Sequence, residues 1–193
     1  MAYPFDSRVS TTSIEIWHAV HAQFETRAPI IAKDIRNIDG TPTLIAVYAC
    51  TPLVRIPLDI LQDGTKVRGE MIGELGFGNT PIDMISYNNP MDGQDYVLVT
   101  NTSRSAKQVS LSAIGSAQAM PVNVTNNYGP AGVEQYPIPL SGALHLDLLD
   151  AGWAAVIRPN PKNLGRLDLH TLPVPLFFDR ADHIVEMNWP GPT

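Results

Sequence analysis

Short apolar runs, broken at close intervals by proline, glycine, aspartate and asparagine, mark the chain from end to end. The runs at residues 44–48 and 96–100 are rich in β-branched and aromatic side chains, and each predicts a strand. Residues 14–23 could pass for a short helix, but Ile14, Ile16, Trp17 and Val20 favour a strand there too. Prolines at 137, 139, 159, 161, 173, 175, 190 and 192 cut the C-terminal third into short pieces and exclude a long helix.

The runs recur in order. Pro29-Ile30 opens a segment that reaches Asp39-Gly40 and then the strand at 44–48; Pro81-Ile82 opens another that reaches Asp92-Gly93 and then the strand at 96–100. The offset is roughly 52 residues, close to a propeller blade of about 40–50. Asp and Gly tolerate positive φ, so each Asp-Gly pair predicts the reversal of an antiparallel hairpin. Turn formers at Thr51-Pro52 and at Asn101-Thr102-Ser103-Arg104 introduce third strands near residues 53–58 and 107–111. Fourth, outer strands are predicted at 66–75 and 117–125, where polar and apolar residues alternate. A degraded third copy begins at 143–148, turns at Asp150-Ala151-Gly152, and continues through 153–157 and 166–169.

The expected fold is therefore all-β, with about three four-stranded, propeller-like blades. The N-terminal segment 1–27 holds a possible strand, two blades fill 28–128, and 129–193 holds the third blade and a proline-rich end. Segment 129–140 has room for additional strands. Natural rings carry about 4–8 blades, so three do not close one. The count implies a homo-oligomer or hetero-oligomer in which another chain completes the ring. A two-sheet β-sandwich is the alternative, and the repeat counts against it.

Composition adjusts this picture in three places. Seventeen prolines and fourteen glycines, with 17% charged residues, suit many short strands. A formal charge of -6 without any Lys/Arg run argues against nucleic acid as a partner. No apolar stretch is long enough for a membrane span, and the start Met1-Ala2-Tyr3-Pro4-Phe5-Asp6 lacks the pattern of a signal peptide. Cys50 is the single cysteine, which leaves no internal disulfide and no Cys-based zinc site; in its apolar run it reads as a buried small hydrophobe.

The stretch 18–113 resembles the later blades of bacterial propeller proteins of the broad NHL, SMP-30 and quinoprotein-like kind. The resemblance rests on Gly-Asn-Thr-Pro-Ile-Asp-Met at 78–84, the Asp92-Gly93 hairpin, Asp95-Tyr96-Val97-Leu98-Val99, and the polar turn at 101–104. It implies a propeller architecture and a periplasmic or secreted setting, and leaves the activity open, because that group includes lactonases, oxidoreductases, scaffolds and ligand-binding proteins.

In a propeller, loops entering the innermost strands converge on the channel mouth. Here those loops carry Arg27, Asn79 and Asp83, the ligand-binding candidates; turn capping and an ordinary salt bridge are their plainer roles. The densest cluster of chemical side chains runs from Trp17 to Arg27. His18 and His21 are candidate ligands of a divalent or redox metal ion, convergent only across a turn or helical turn, and they need a third ligand such as His145, His170 or His183. Glu25 and Asp83 are the candidates for acid/base catalysis. No Gly-x-Ser-x-Gly elbow and no phosphate loop is present. Trp153 and Trp189 sit in apolar contexts that predict core filling. Two functions follow: an accessory or assembly subunit of a propeller complex that binds a ligand or partner at the channel mouth, or a metal-dependent enzyme, an oxidoreductase or lactonase-like hydrolase, with a His-containing channel site.

Overall fold

The computed structural model describes residues 9–120, 129–140 and 142–177. The architecture is all-β. Strands β1 (Ser13–His18) and β2 (Gln23–Glu25) form an N-terminal hairpin, followed by β3 (Ile30–Ile38), β4 (Thr41–Tyr48), β5 (Pro52–Pro57) and β6 (Lys66–Glu74). Next come β7 (Pro81–Asn88), β8 (Asp95–Asn101), β9 (Ala106–Ser110) and a short helix α1 (Leu111–Ser116). The chain continues through β10 (Ala131–Gly132), β11 (Tyr136–Ile138), β12 (His145–Leu148), β13 (Trp153–Asn160) and β14 (Asn163–Pro173).

Among the described residues these make three sheets. The first runs β3-β4-β5-β6 as an antiparallel meander; β1 adds to the outer edge of β6 in parallel, and β2 pairs with β1. Glu15 holds that parallel junction by accepting hydrogen bonds from Lys66 and Arg68 of β6, both at 2.6 Å. The second sheet is β7-β8-β9-β11 and the third β12-β13-β14. Three stacked sheets replace the two of the sandwich alternative.

Period-two alternation explains the stacking, because the central strands β4 and β8 each have two buried faces. Ile45 and Val47 of β4 pack with Val97 and Val99 of β8 between the first and second sheets. Leu98 of β8 faces the other way, into a second core with Val156, Leu172 and Phe177 against the third sheet. Leu44, Ala46 and Tyr48 point to the far side of the first sheet, where Ile16 and Ala19 of the N-terminal segment cover them. The first strands of the three sheets lie side by side, β3 on β7 and β7 on β12.

The repeat survives in detail. Both β3 and β7 carry a register shift at the same early point, between Ile30 and Ala32 and between Pro81 and Asp83. The two Asp-Gly turns differ, however. Asp39 and Gly40 both take positive φ (50° and 84°) in a two-residue hairpin joining Ile38 to Thr41. Gly93 instead closes a longer loop, donating its N–H to the Asn89 carbonyl at 2.7 Å, and Asn88 pairs with Asp95.

Three expectations need correction. The outer strand of the second sheet is β11, and residues 117–120 are not strand: Ser110 caps α1 by accepting the Ala113 N–H at 3.1 Å, so a short helix follows β9 where the turn into the outer strand was expected. Residues 121–125 of that expectation lie outside the described residues. Residues 14–23 are not one strand: β1 ends at His18, Ala19–His21 form a 3-10 turn closed by Ala22 at φ 51°, and Gln23 opens β2. Trp153 is 48% exposed rather than core-filling, and Trp189 lies outside the described residues.

Candidate metal centre

The N-terminal hairpin organises the densest chemistry. In its register Ile16 pairs with Glu25, Trp17 with Phe24 and His18 with Gln23, so His18, Gln23 and Glu25 share one face. The 3-10 turn then folds His21 back over His18, with ring centroids 3.9 Å apart. Glu25 accepts from both imidazoles: His18 Nδ1 lies 2.7 Å from Oε2 and His21 Nδ1 2.6 Å from Oε1. Gln23 Nε2 donates to the same Oε1 at 2.7 Å. Burial works to raise the Glu25 carboxyl, but hydrogen bonds from His18, Gln23 and His21 outweigh it and hold the group at about 2, so the carboxylate is ionised across the physiological range.

With Nδ1 of each ring engaged, the tautomer that donates to Glu25 leaves Nε2 with its lone pair. His18 is 1% exposed, and its Nε2 is buried without a hydrogen-bond partner among the described residues. A third donor comes from the β4–β5 turn. Cys50 Sγ and a nitrogen of each histidine lie within 4.8 Å of one another. The reading of Cys50 as a buried hydrophobe is corrected here: it is exposed, because the chain leaves the apolar β4 at Tyr48 and enters a turn in which Cys50 and Thr51 both take positive φ, 63° and 91°. A β-branched residue at such a φ is an outlier that the surroundings must hold in place. Thr51 is fully buried, its N–H bonds the Tyr48 carbonyl at 3.0 Å, and its carbonyl accepts from Leu75 at 3.1 Å. Glu74, whose carboxylate interacts electrostatically with His21, completes the surroundings. Burial pushes its carboxyl up to about 7, against the N–H groups of Gly76 and Leu75 and the electrostatic effect of His21, and Oε2 has no hydrogen-bond partner among the described residues.

The other candidates go elsewhere. Arg27 is exposed beside Gln23, Glu25 and Thr26 in a shallow surface depression. Asn79 is buried and locks the turn before β7: its Nδ2 donates to Asn101 Oδ1 at 2.8 Å, and its Oδ1 accepts from the Ser103 N–H at 3.2 Å. Asp83 ties the second sheet to the third. Its Oδ1 accepts from Met84 N at 2.8 Å, while Oδ2 accepts from Leu146 N at 2.9 Å and pairs with His145 Nδ1. His170 lies on β14, paired in register with Val156, and His183 falls outside the described residues.

Because Asp83 bonds a β12 backbone N–H, Asp83→Ala is expected to lower stability by about 1–2 kcal/mol. His145 is 69% exposed, so His145→Ala is expected to stay within about 0.5 kcal/mol of the parent. Urea unfolding of both variants separates the two contributions; equal losses would place the stabilisation in the ion pair instead.

A second grouping was not anticipated from the sequence. Lys33, Asp34 and Arg36 of β3, Ser86 of β7 and Asp147 of β12 line a cleft where the three first strands meet. Arg36 donates to Asp34 at 3.0 Å and to the Ser86 carbonyl at 3.0 Å, bridging the two sheets. Alternation along 33–36 was the available signal, and it is obscured by the register shift at the start of β3. No family model, curated protein or solved structure matches this chain.

Proposed function

We propose that the chain is an assembly module: three consecutive blades of a β-propeller of the broad NHL, SMP-30 and quinoprotein-like kind, whose wall is completed by a further sheet from another copy or a partner chain. One observation carries this reading. Among the described residues the outer face of the third sheet carries an exposed apolar stripe along β13 and β14, whereas the far face of the first sheet is capped by the N-terminal segment. By register, Trp153 and Pro173, Ile157 and Leu169, and Pro159 and Leu167 lie in pairs on that outer face. Trp153, Leu167 and Leu169 are 48%, 57% and 72% exposed. Contiguous apolar surface of this kind marks a contact face. The side-by-side first strands and the shared early register shift support the blade reading, and the cleft they line is the place where such a ring would open its channel.

The test is the mass in solution. The parent protein is expected to run as an oligomer in light scattering coupled to gel filtration, and Leu167→Asp/Leu169→Asp to run as a monomer of 21.0 kDa with unchanged circular dichroism. Both side chains are solvent-exposed, so the double variant spares the cores. A monodisperse parent monomer at high micromolar concentration would overturn the proposal.

A further inference from the structure

We propose that His18, His21 and Cys50 form a three-donor site for a thiophilic divalent transition-metal ion of the zinc class, with Glu25 as the positioning residue for both imidazoles. This inference is independent of assembly.

Three features of the cluster point the same way. The first is the donor set. Two imidazole nitrogens and a thiolate are a combination that binds zinc and its neighbours, whereas magnesium and calcium require oxygen donors. The second is the orientation of the rings. A metal-bound histidine ordinarily donates its other N–H to a carboxylate, which fixes the tautomer and makes the ligating nitrogen more basic. Here one carboxylate serves two histidines at 2.7 and 2.6 Å, and Glu25 stands outside the three-donor group itself. The third is an unexplained polar atom. His18 Nε2 is buried and has no hydrogen-bond partner among the described residues, an arrangement that costs about 1–3 kcal/mol and that a metal bond would relieve.

The geometry needs only a small contraction. Tetrahedral zinc, with Zn–N of about 2.0–2.1 Å and Zn–S of about 2.3 Å, sets its donors roughly 3.3–3.7 Å apart. One ring nitrogen of each histidine and Cys50 Sγ already lie within 4.8 Å of one another. His21 and Cys50 are exposed, so ions and water reach the site from solvent. On binding, the Cys50 S–H bond breaks, its proton passes to solvent, and the S–metal bond forms with no change in oxidation state. Three protein donors leave a fourth tetrahedral position for water or an exchangeable ligand.

Cobalt(II) is the probe, added to metal-free protein. Uptake of one equivalent is expected, with visible ligand-field bands of a tetrahedral ion and a near-ultraviolet thiolate-to-cobalt charge-transfer band, all displaced by zinc. Cys50→Ser is expected to abolish the charge-transfer band, and His21→Ala to weaken binding at least about tenfold. Glu25→Gln is expected to keep the band while weakening affinity about 10–100-fold, the signature of a positioning residue. Cys50 and His21 are exposed, so these two variants are expected to keep the parent's circular dichroism and melting curve. Absence of saturable cobalt uptake, or a spectrum and affinity unchanged in Cys50→Ser, would overturn the site. Unchanged affinity in Glu25→Gln would overturn the positioning role.

Discussion

Replacing Arg55 by methionine is expected to lower the unfolding free energy by about 2–4 kcal/mol, a large share of what holds a chain of this size together. Arg55 sits on β5 with its side chain 17% exposed, and its guanidinium reaches across to the end of α1. Nη1 donates to the carbonyls of Ile114 and Gly115, both at 2.6 Å, and Nη2 to the carbonyl of Ala117 at 3.1 Å. Nε and Nη2 also hold Glu70 Oε2, at 3.0 and 2.6 Å. The last carbonyls of a helix have no partners within it, and a cation there satisfies them and opposes the helix dipole. A helix of six residues is too short to form on propensity, so this clamp and the burial of Ile114 are what keep α1 against the first sheet.

Glu70 is 49% exposed, so Glu70→Ala is expected to cost under about 1 kcal/mol. Arg55→Lys is expected to recover less than half of the loss, because an ammonium is a point charge and cannot fork across several carbonyls. Urea titration of the three variants checks the order. A methionine variant within about 1 kcal/mol of the parent would show that water replaces the guanidinium at these carbonyls at little cost.

The clamp also shows why some features were legible in the sequence and others were not. The strands near 44–48, 53–58, 66–75, 96–100 and 107–111 were readable because burial on alternating faces writes itself into local composition, and the described strands β4, β5, β6, β8 and β9 cover nearly the same residues. The helix α1 was not legible because Leu111-Ser112-Ala113-Ile114-Gly115-Ser116 has no strong helical pattern. Its helix depends on the Ser110 cap and on an arginine some 59 residues earlier, and no local window contains that arginine. The histidine pair was visible as spacing, and the condition for convergence, a turn between them, is met by Ala19–His21 and Ala22. Cys50 was missed for a comparable reason. Its apolar neighbours place it inside a strand, whereas the register of β4 with β5 ends at Val47 and Leu53 and leaves Cys50 in the turn. What brings it to the histidines is the packing of the N-terminal hairpin across the far face of the first sheet, which is a tertiary fact.

Glu74 supplies the second large effect, and its sign is set by burial. Its side chain is almost wholly inside, at 1% exposure, and the folded carboxyl titrates at about 7 against an ordinary value of 4.5. Between those values the folded protein binds a proton that the unfolded chain has lost, so stability falls as pH rises through the window and is level above it. A shift of this size corresponds to about 3 kcal/mol, and relaxation of the site brings the expected loss to about 2 kcal/mol between pH 4.5 and 8. Glu74→Gln removes the titration. The variant is therefore expected to gain about 2 kcal/mol on the parent as pH moves from 4.5 to 8, whatever their difference at the acid end. Glu25, which stays ionised down to about 2, is present in both proteins and cancels from the comparison. Urea unfolding at both pH values, with parent and variant side by side, is the measurement. Parallel curves would mean that water or a neighbouring cation neutralises the Glu74 carboxylate in the folded chain.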